Sequence, residues 1–79
     1  MRNNDRLRIS KNIRALRLQH GYRQSDISDR FFVSRSRYSL METGKIEISL
    51  GLLLDLAQHY DVPVDKIIYT DIPDIIKPE

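Results

Sequence analysis

The sequence predicts an all-α fold, a compact domain of five helices. Apolar residues recur at helical spacing in five successive segments, helix-starting and helix-stopping residues stand between them, and no stretch alternates with period two over a useful length. At 79 residues the chain has room for one domain, with a core large enough to fold alone and too small to enclose a deep catalytic cleft. The expected division is a polar N-terminal arm at 1–8, a folded unit at 9–69 and a short tail at 70–79.

Ile9, Ile13 and Leu16 fall at i, i+4 and i+7 and predict a first helix from Ile9 to His20, stopped at Gly21. A second short helix over Gln24 to Phe31 carries Ile27 and Phe31 on one face. Ser34 is a good N-cap for a third helix from Arg35 to Thr43, because its hydroxyl accepts an orphan backbone N–H, and Gly44 supplies a left-handed exit. Ser49 caps a fourth helix, along which Leu50, Leu53, Leu54, Ala57 and Tyr60 recur with helical spacing up to the break at Asp61 to Pro63. Pro63 suits the first turn of a fifth helix with Val64, Ile67 and Ile68, after which Pro73 and Pro78 argue against any long regular element.

Composition excludes several classes. No apolar run approaches the roughly 18 residues of a membrane span, and with no cysteine there are neither disulfides nor thiolate metal sites. The polar start lacks the apolar stretch of a secretory signal, which makes a cytoplasmic location the default expectation. His20 and His59 occur without metal-ligand spacing, and neither a Gly-rich phosphate loop nor a nucleophile–base motif is present, so no enzyme, cofactor or metal is expected. Charge is the informative quantity. Residues 1–45 hold eleven Lys or Arg against four acids, net +7, whereas 46–79 hold two against seven, net −5. A basic half beside an acidic one suggests a surface that faces a polyanion.

Across the second and third helices the pattern becomes specific. Counted from Gln24, large apolar residues stand at the fourth position (Ile27), eighth (Phe31), tenth (Val33), fifteenth (Tyr38) and eighteenth (Met41), with small Ser28 at the fifth. Two short helices that cross steeply through a tight turn need this set: a shared apolar interior and a small residue where the backbones approach. With Ile13-Arg14-Ala15-Leu16-Arg17 and Gly21, Val33-Ser34-Arg35-Ser36, Met41-Glu42-Thr43-Gly44-Lys45, Ser49-Leu50, the Leu53-Leu54-Asp55-Leu56-Ala57 run and Val62, the chain resembles the lambda-repressor-like, or Cro-type and Xre, helix-turn-helix family from about Ile9 to Ile68.

The resemblance implies a sequence-specific double-stranded DNA-binding transcriptional regulator, a repressor, that lays helix 35–43 in the major groove. At about 100° per residue, Arg35, Ser36, Ser39, Leu40 and Thr43 share one face of that helix while Tyr38 and Met41 point into the core. Arg35 is the expected base reader, through the O6 and N7 acceptors of guanine; Ser36 and Ser39 reach base edges and Leu40 a thymine methyl group. Arg23, Gln24, Arg37, Thr43 and Lys45 are expected to hold phosphates, with Gln24 and Arg23 at the positive end of the second helix. For Arg35 the competing expectation is a solvated or phosphate-bound side chain, for Gln24 a residue that only starts its helix, and for Glu42 plain surface solvation. Glu42 lies between core and DNA faces and needs a partner, which the resemblance identifies as Arg17, a structural pair.

The sequence also departs from the family. Phe32 stands at a turn position where glycine is usual and positive φ is often required, so a strained or reshaped turn is expected. Arg23 replaces a Ser or Thr cap, Thr43 and Ile48 stand where Asn and Pro are common, and Tyr38 enlarges an aliphatic site. Leu18, Ile46, Leu52, Ile72, Ile75 and Ile76 have no evident place in the interior. Either a homodimer on a palindromic operator covers them, or the tail folds back over its own helices. The alternative function is a protein-interaction module such as an antitoxin or a partner-binding regulator.

Overall fold

Helix ends decide this fold. The computed structural model describes residues 3–73, which form α1 (Asn3–Gln19), α2 (Gln24–Arg30), α3 (Arg35–Glu42), α4 (Leu50–His59) and α5 (Val64–Tyr69), with no strand among the described residues. The first four helices stop in the same way, on a residue in the left-handed region: Gly21 (φ 74), Phe32 (φ 58), Gly44 (φ 77) and Asp61 (φ 55). After each, the next backbone N–H reaches back over the last turn: Tyr22 to the Arg17 carbonyl at 3.0 Å, Val33 to Ser28 at 2.9 Å, Lys45 to Leu40 at 3.0 Å and Val62 to Ala57 at 3.0 Å. This double closure satisfies carbonyls that the helix leaves orphaned and turns the chain sharply. Two of the stops are glycines, as expected, and two are paid for in backbone strain.

The starts follow equally local chemistry. Ser34 Oγ accepts the Arg37 N–H and Ser49 Oγ accepts the Leu52 N–H, each at 3.2 Å, as their hydroxyls predict. At α2 the missing cap is half restored from the other side, because the Asp26 carboxylate accepts the Arg23 N–H at 2.8 Å. Pro63 is the N-cap of α5 and not its first helical residue. The expected ends of α2 and α3, Phe31 and Thr43, are C-caps one residue beyond the helices.

The largest correction concerns α1, which begins at Asn3, well ahead of the expected Ile9. Residues 3–8, read from their polarity as an arm, are helical because their side chains find partners: Arg8 Nη1 donates to Asp5 at 3.0 Å and to the Ile68 carbonyl at 3.2 Å, and its Nε lies 3.7 Å from Asp71. Apolar periodicity starts at Ile9, so it could not register a turn held by polar contacts.

Ile9, Ile13 and Leu16 from α1 meet Ile27, Tyr38, Met41, Ile48, Leu53, Leu56, Ala57, Tyr60 and Ile67 in one core. Each such aliphatic residue, fully buried, contributes roughly 1.5–3 kcal/mol. On α4 the buried stripe is Leu53, Leu56, Ala57 and Tyr60, spaced i, i+3, i+4, i+7, while Leu50 and Leu54, expected on it, are 64% and 46% exposed. A helix so rich in leucine fits more than one stripe, and only packing selects between them.

Ile46, Leu52 and Ile72 pack against the core from its edge. For Ile72 the cause is Asn12, buried on α1. Its Nδ2 donates to the Ile67 and Thr70 carbonyls, both at 2.6 Å, and its Oδ1 accepts the Ile72 N–H at 2.8 Å. Gln19 Nε2 donates to the Pro73 carbonyl further along. The chain therefore folds back across α1 as far as Pro73; Ile75 and Ile76 lie outside the described residues.

Candidate nucleic-acid interface

The two short helices α2 and α3 bury Ile27 and Ser28 on one side and Tyr38, Met41 and Glu42 on the other. Phe31 and Val33 pack half-buried at the edge of the same core. Small Ser28 lies fully buried where the Val33 N–H returns to its carbonyl, the close approach that its size was read to permit. With Tyr38 and Met41 inward, the wheel leaves Arg35, Ser36, Arg37 and Leu40 exposed and Ser39 half-buried, with Thr43 exposed just past the helix.

This face is cationic. Arg23, Arg35, Arg37 and Lys45 are all exposed, and none joins an ion pair among the described residues. Glu42, the acid on α3, is turned away from it. Glu42 is 5% exposed and Arg17 8%, and the pair is bidentate: Arg17 Nε to Oε2 at 2.7 Å and Nη2 to Oε1 at 3.0 Å. Arg17 Nη1 also donates to the Tyr22 carbonyl at 2.9 Å. The hydrogen bond to Glu42 raises the arginine pKa above its ordinary value against the opposing effect of burial. Burial first, and Glu42 second, push the Tyr38 hydroxyl far up, and burial does the same to Tyr60. Both hydroxyls stay neutral, so the carboxylate has one cationic partner and no buried anion beside it.

Two of the expected phosphate-holding residues are already engaged. Gln24 Nε2 donates to Glu42 Oε1 at 3.2 Å, which fixes the amide at the start of α2 and leaves it one further N–H. The Thr43 hydroxyl donates back to the Ser39 and Leu40 carbonyls at 3.2 and 3.1 Å, so its proton is committed within α3. Sequence reasoning missed the Gln24–Glu42 contact, which joins residues on different helices without any local spacing signal. It also missed the role of Asp26, although an acid three residues after a cap position is a legible cue. The expected Arg17–Glu42 pair is present.

Away from this face, the ends of α1, α2 and α4 carry an aromatic and histidine cluster: His20 to Tyr60 with ring centroids at 4.9 Å, Tyr22 to His59 at 5.5 Å, His59 to Tyr60 at 5.2 Å and Phe31 edge-on to His59 at 5.5 Å. Burial, then Arg30, then His20 lower the His59 pKa. No group of His, Cys, Asp or Glu among the described residues has metal-binding geometry, and no helix there is long and apolar enough to cross a membrane.

Comparison with known proteins agrees with this geometry. Neither curated proteins nor solved structures returned a match. A family model described as Helix-turn-helix, of the Xre or lambda-repressor-like type, matches residues 13–67, which spans the core of all five helices and most of the chain. The chain belongs to the Xre, lambda-repressor-like helix-turn-helix family and is a DNA-binding regulator.

Proposed function

We propose that the protein is a sequence-specific repressor that acts in the cytoplasm, binding a palindromic operator as a homodimer with α3 in the major groove. The observation that carries the proposal is the outer face of α3, exposed and free of acids, on a helix braced from behind by the bidentate Arg17–Glu42 pair. Arg35, Ser36, Ser39 and Leu40 read base edges. Arg23, Gln24, Arg37 and Lys45 hold phosphates and set the register, joined by Thr43 once its hydroxyl rotates away from α3. A repressor of this kind needs no chemistry beyond occupancy, since a dimer seated on its operator excludes other proteins from the same grooves. The exposure of Phe32 favours a second reading in which a protein partner binds beside DNA, as an antitoxin's would.

Duplex binding across a salt series tests the proposal, with the site first selected from random DNA. Affinity should fall with a log–log slope of about −0.9 per phosphate neutralised. Arg35→Ala should cost about 1–3 kcal/mol at one base position and relax preference there, whereas Arg37→Ala should weaken all sequences alike and flatten the slope. Binding indifferent to both changes rules out this placement of α3.

A further inference from the structure

The reading of DNA leaves one prominent feature unused. Phe32 closes α2 at φ 58 with its side chain 96% exposed. Glycine is free of strain in that conformation, and a phenylalanine there buries nothing of its own chain in return. Next to it, where the end of α2 meets α4, lies a cleft of about 470 Å³ lined by Arg30, Phe31, Asp55, Gln58 and His59. Its aromatic wall is the edge-on Phe31–His59 pair, and the Nε2 of His59 is buried there without a hydrogen-bond partner. Leu54, which precedes Asp55 on α4, is also exposed. Arg30 and Asp55 stand at the cleft with opposite charge, and neither is in an ion pair among the described residues.

We infer that this face is where two copies of the chain meet, the Phe32 ring of each seated in the Phe31–His59 cleft of the other. A two-fold interface must carry both halves of every contact on one patch, and here an aromatic knob and an aromatic-walled cleft adjoin through consecutive residues. The charges satisfy the same condition, since a two-fold axis brings Arg30 of one copy to Asp55 of the other and Asp55 to Arg30. A partner of single charge leaves one of the two unmatched; a second copy matches both. Edge-to-face packing of Phe32 on the Phe31–His59 wall suits rings of this geometry. The inference rests on the homodimeric reading above and names its interface.

Sedimentation equilibrium of the full chain over the micromolar range tests it, with Phe32→Gly, Arg30→Asp, Asp55→Arg and the doubly exchanged variant beside the unaltered protein. Circular dichroism checks that each is folded, and duplexes carrying one or two half-sites are titrated in parallel. Phe32→Gly should weaken self-association at least about tenfold, as loss of a central aromatic anchor does, and leave binding to one half-site unchanged. Each single charge exchange should weaken the dimer and the double exchange restore it, a recovery that a merely structural role would not produce. A dimer indifferent to Phe32→Gly, or charges that do not rescue each other, overturns the interface while leaving a dimeric regulator in place. A chain that stays monomeric alone and on two half-sites overturns both the interface and the homodimer, with DNA reading intact if half-sites still bind. Loss of half-site affinity in Phe32→Gly assigns the ring to DNA and overturns the inference.

Discussion

Replacing Phe32 by glycine should make the isolated domain more stable, although it deletes a large apolar side chain. In the left-handed region a residue with a Cβ costs about 1–2 kcal/mol, and Phe32 sits there at φ 58. Its ring is almost wholly exposed, so its removal forfeits almost no burial. Against the relief stands the extra freedom glycine gives the unfolded chain, roughly 0.5–1 kcal/mol. The balance is a gain centred on roughly 0.7 kcal/mol, which for a domain of this size raises Tm by roughly 3–6 °C. Thermal unfolding followed by circular dichroism reads this directly. The dilution must be high enough to suppress association, because any dimer stabilises the native state by mass action. Phe32→Ala is the control: it removes the ring and keeps the Cβ, and should leave Tm nearly unchanged. A glycine variant that melts lower, or an alanine variant that matches it, would refute the argument from backbone strain.

Glu42→Ala leaves the Arg17 guanidinium buried without its partner and should cost about 3–5 kcal/mol in urea unfolding; a loss below 1 kcal/mol would mean that solvent reaches the pair. Asn12→Ala orphans the Ile67 and Thr70 carbonyls and the Ile72 N–H together, at roughly 1–3 kcal/mol for each group left buried. Hydrogen exchange at the Ile72 amide should then become fast while amides in α3 keep their protection, and a protected Ile72 amide would show that another contact holds the strap. His59, whose pKa is lowered by burial, Arg30 and His20, is neutral in the folded state to lower pH than in the unfolded chain. Its contribution is complete above the unfolded value of about 6.5 and is lost as pH falls from there through the lower folded value, so stability should drop on acidification across that window. His59→Phe should remove that part of the pH dependence, and an unchanged profile would place the titrating group elsewhere.

The parts of this molecule that could be read in its sequence are those whose cause lies within a few residues. Ser34 and Ser49 cap the helices that follow them, Gly21 and Gly44 end the helices before them, and the spacing of Ile27, Ser28, Tyr38 and Met41 describes the crossing of α2 and α3 without reference to the rest of the chain. What escaped has a non-local cause. The first turns of α1 depend on Arg8 reaching α5 and Asp71, and the choice among the leucines of α4 depends on which side α1 and α5 occupy. The strain at Phe32 was legible because positive φ at a turn is a local demand; its near-total exposure was not, since the same residue could have folded over the core. For the candidate interface, which side chains of α3 face outward was readable, whereas the commitment of Gln24 to Glu42 and of Thr43 to its own helix required the structure.

Glu42 explains why a basic face can be built on a helix that contains an acid. Exposed on α3, its carboxylate would cancel part of the positive potential that the exposed Arg35, Arg37 and Lys45 set up on this face, and at short range that effect outweighs the screening of salt. Buried alone, it would carry a desolvation cost of several kcal/mol. Pairing with Arg17 resolves both problems at once, because the guanidinium sits on α1, behind the interface, and compensates the carboxylate from the core side. The second contact, from Gln24, then ties the start of α2 to the end of α3 through the same carboxylate. Three helices thus meet at one ion pair, so the position of α3 is set by charge as well as by packing. A displacement of α3 from its place on α1 must break a bidentate bond inside the protein, and with the Gln24 contact that cost keeps Arg35 and Arg37 at fixed separation from Arg23 at the start of α2.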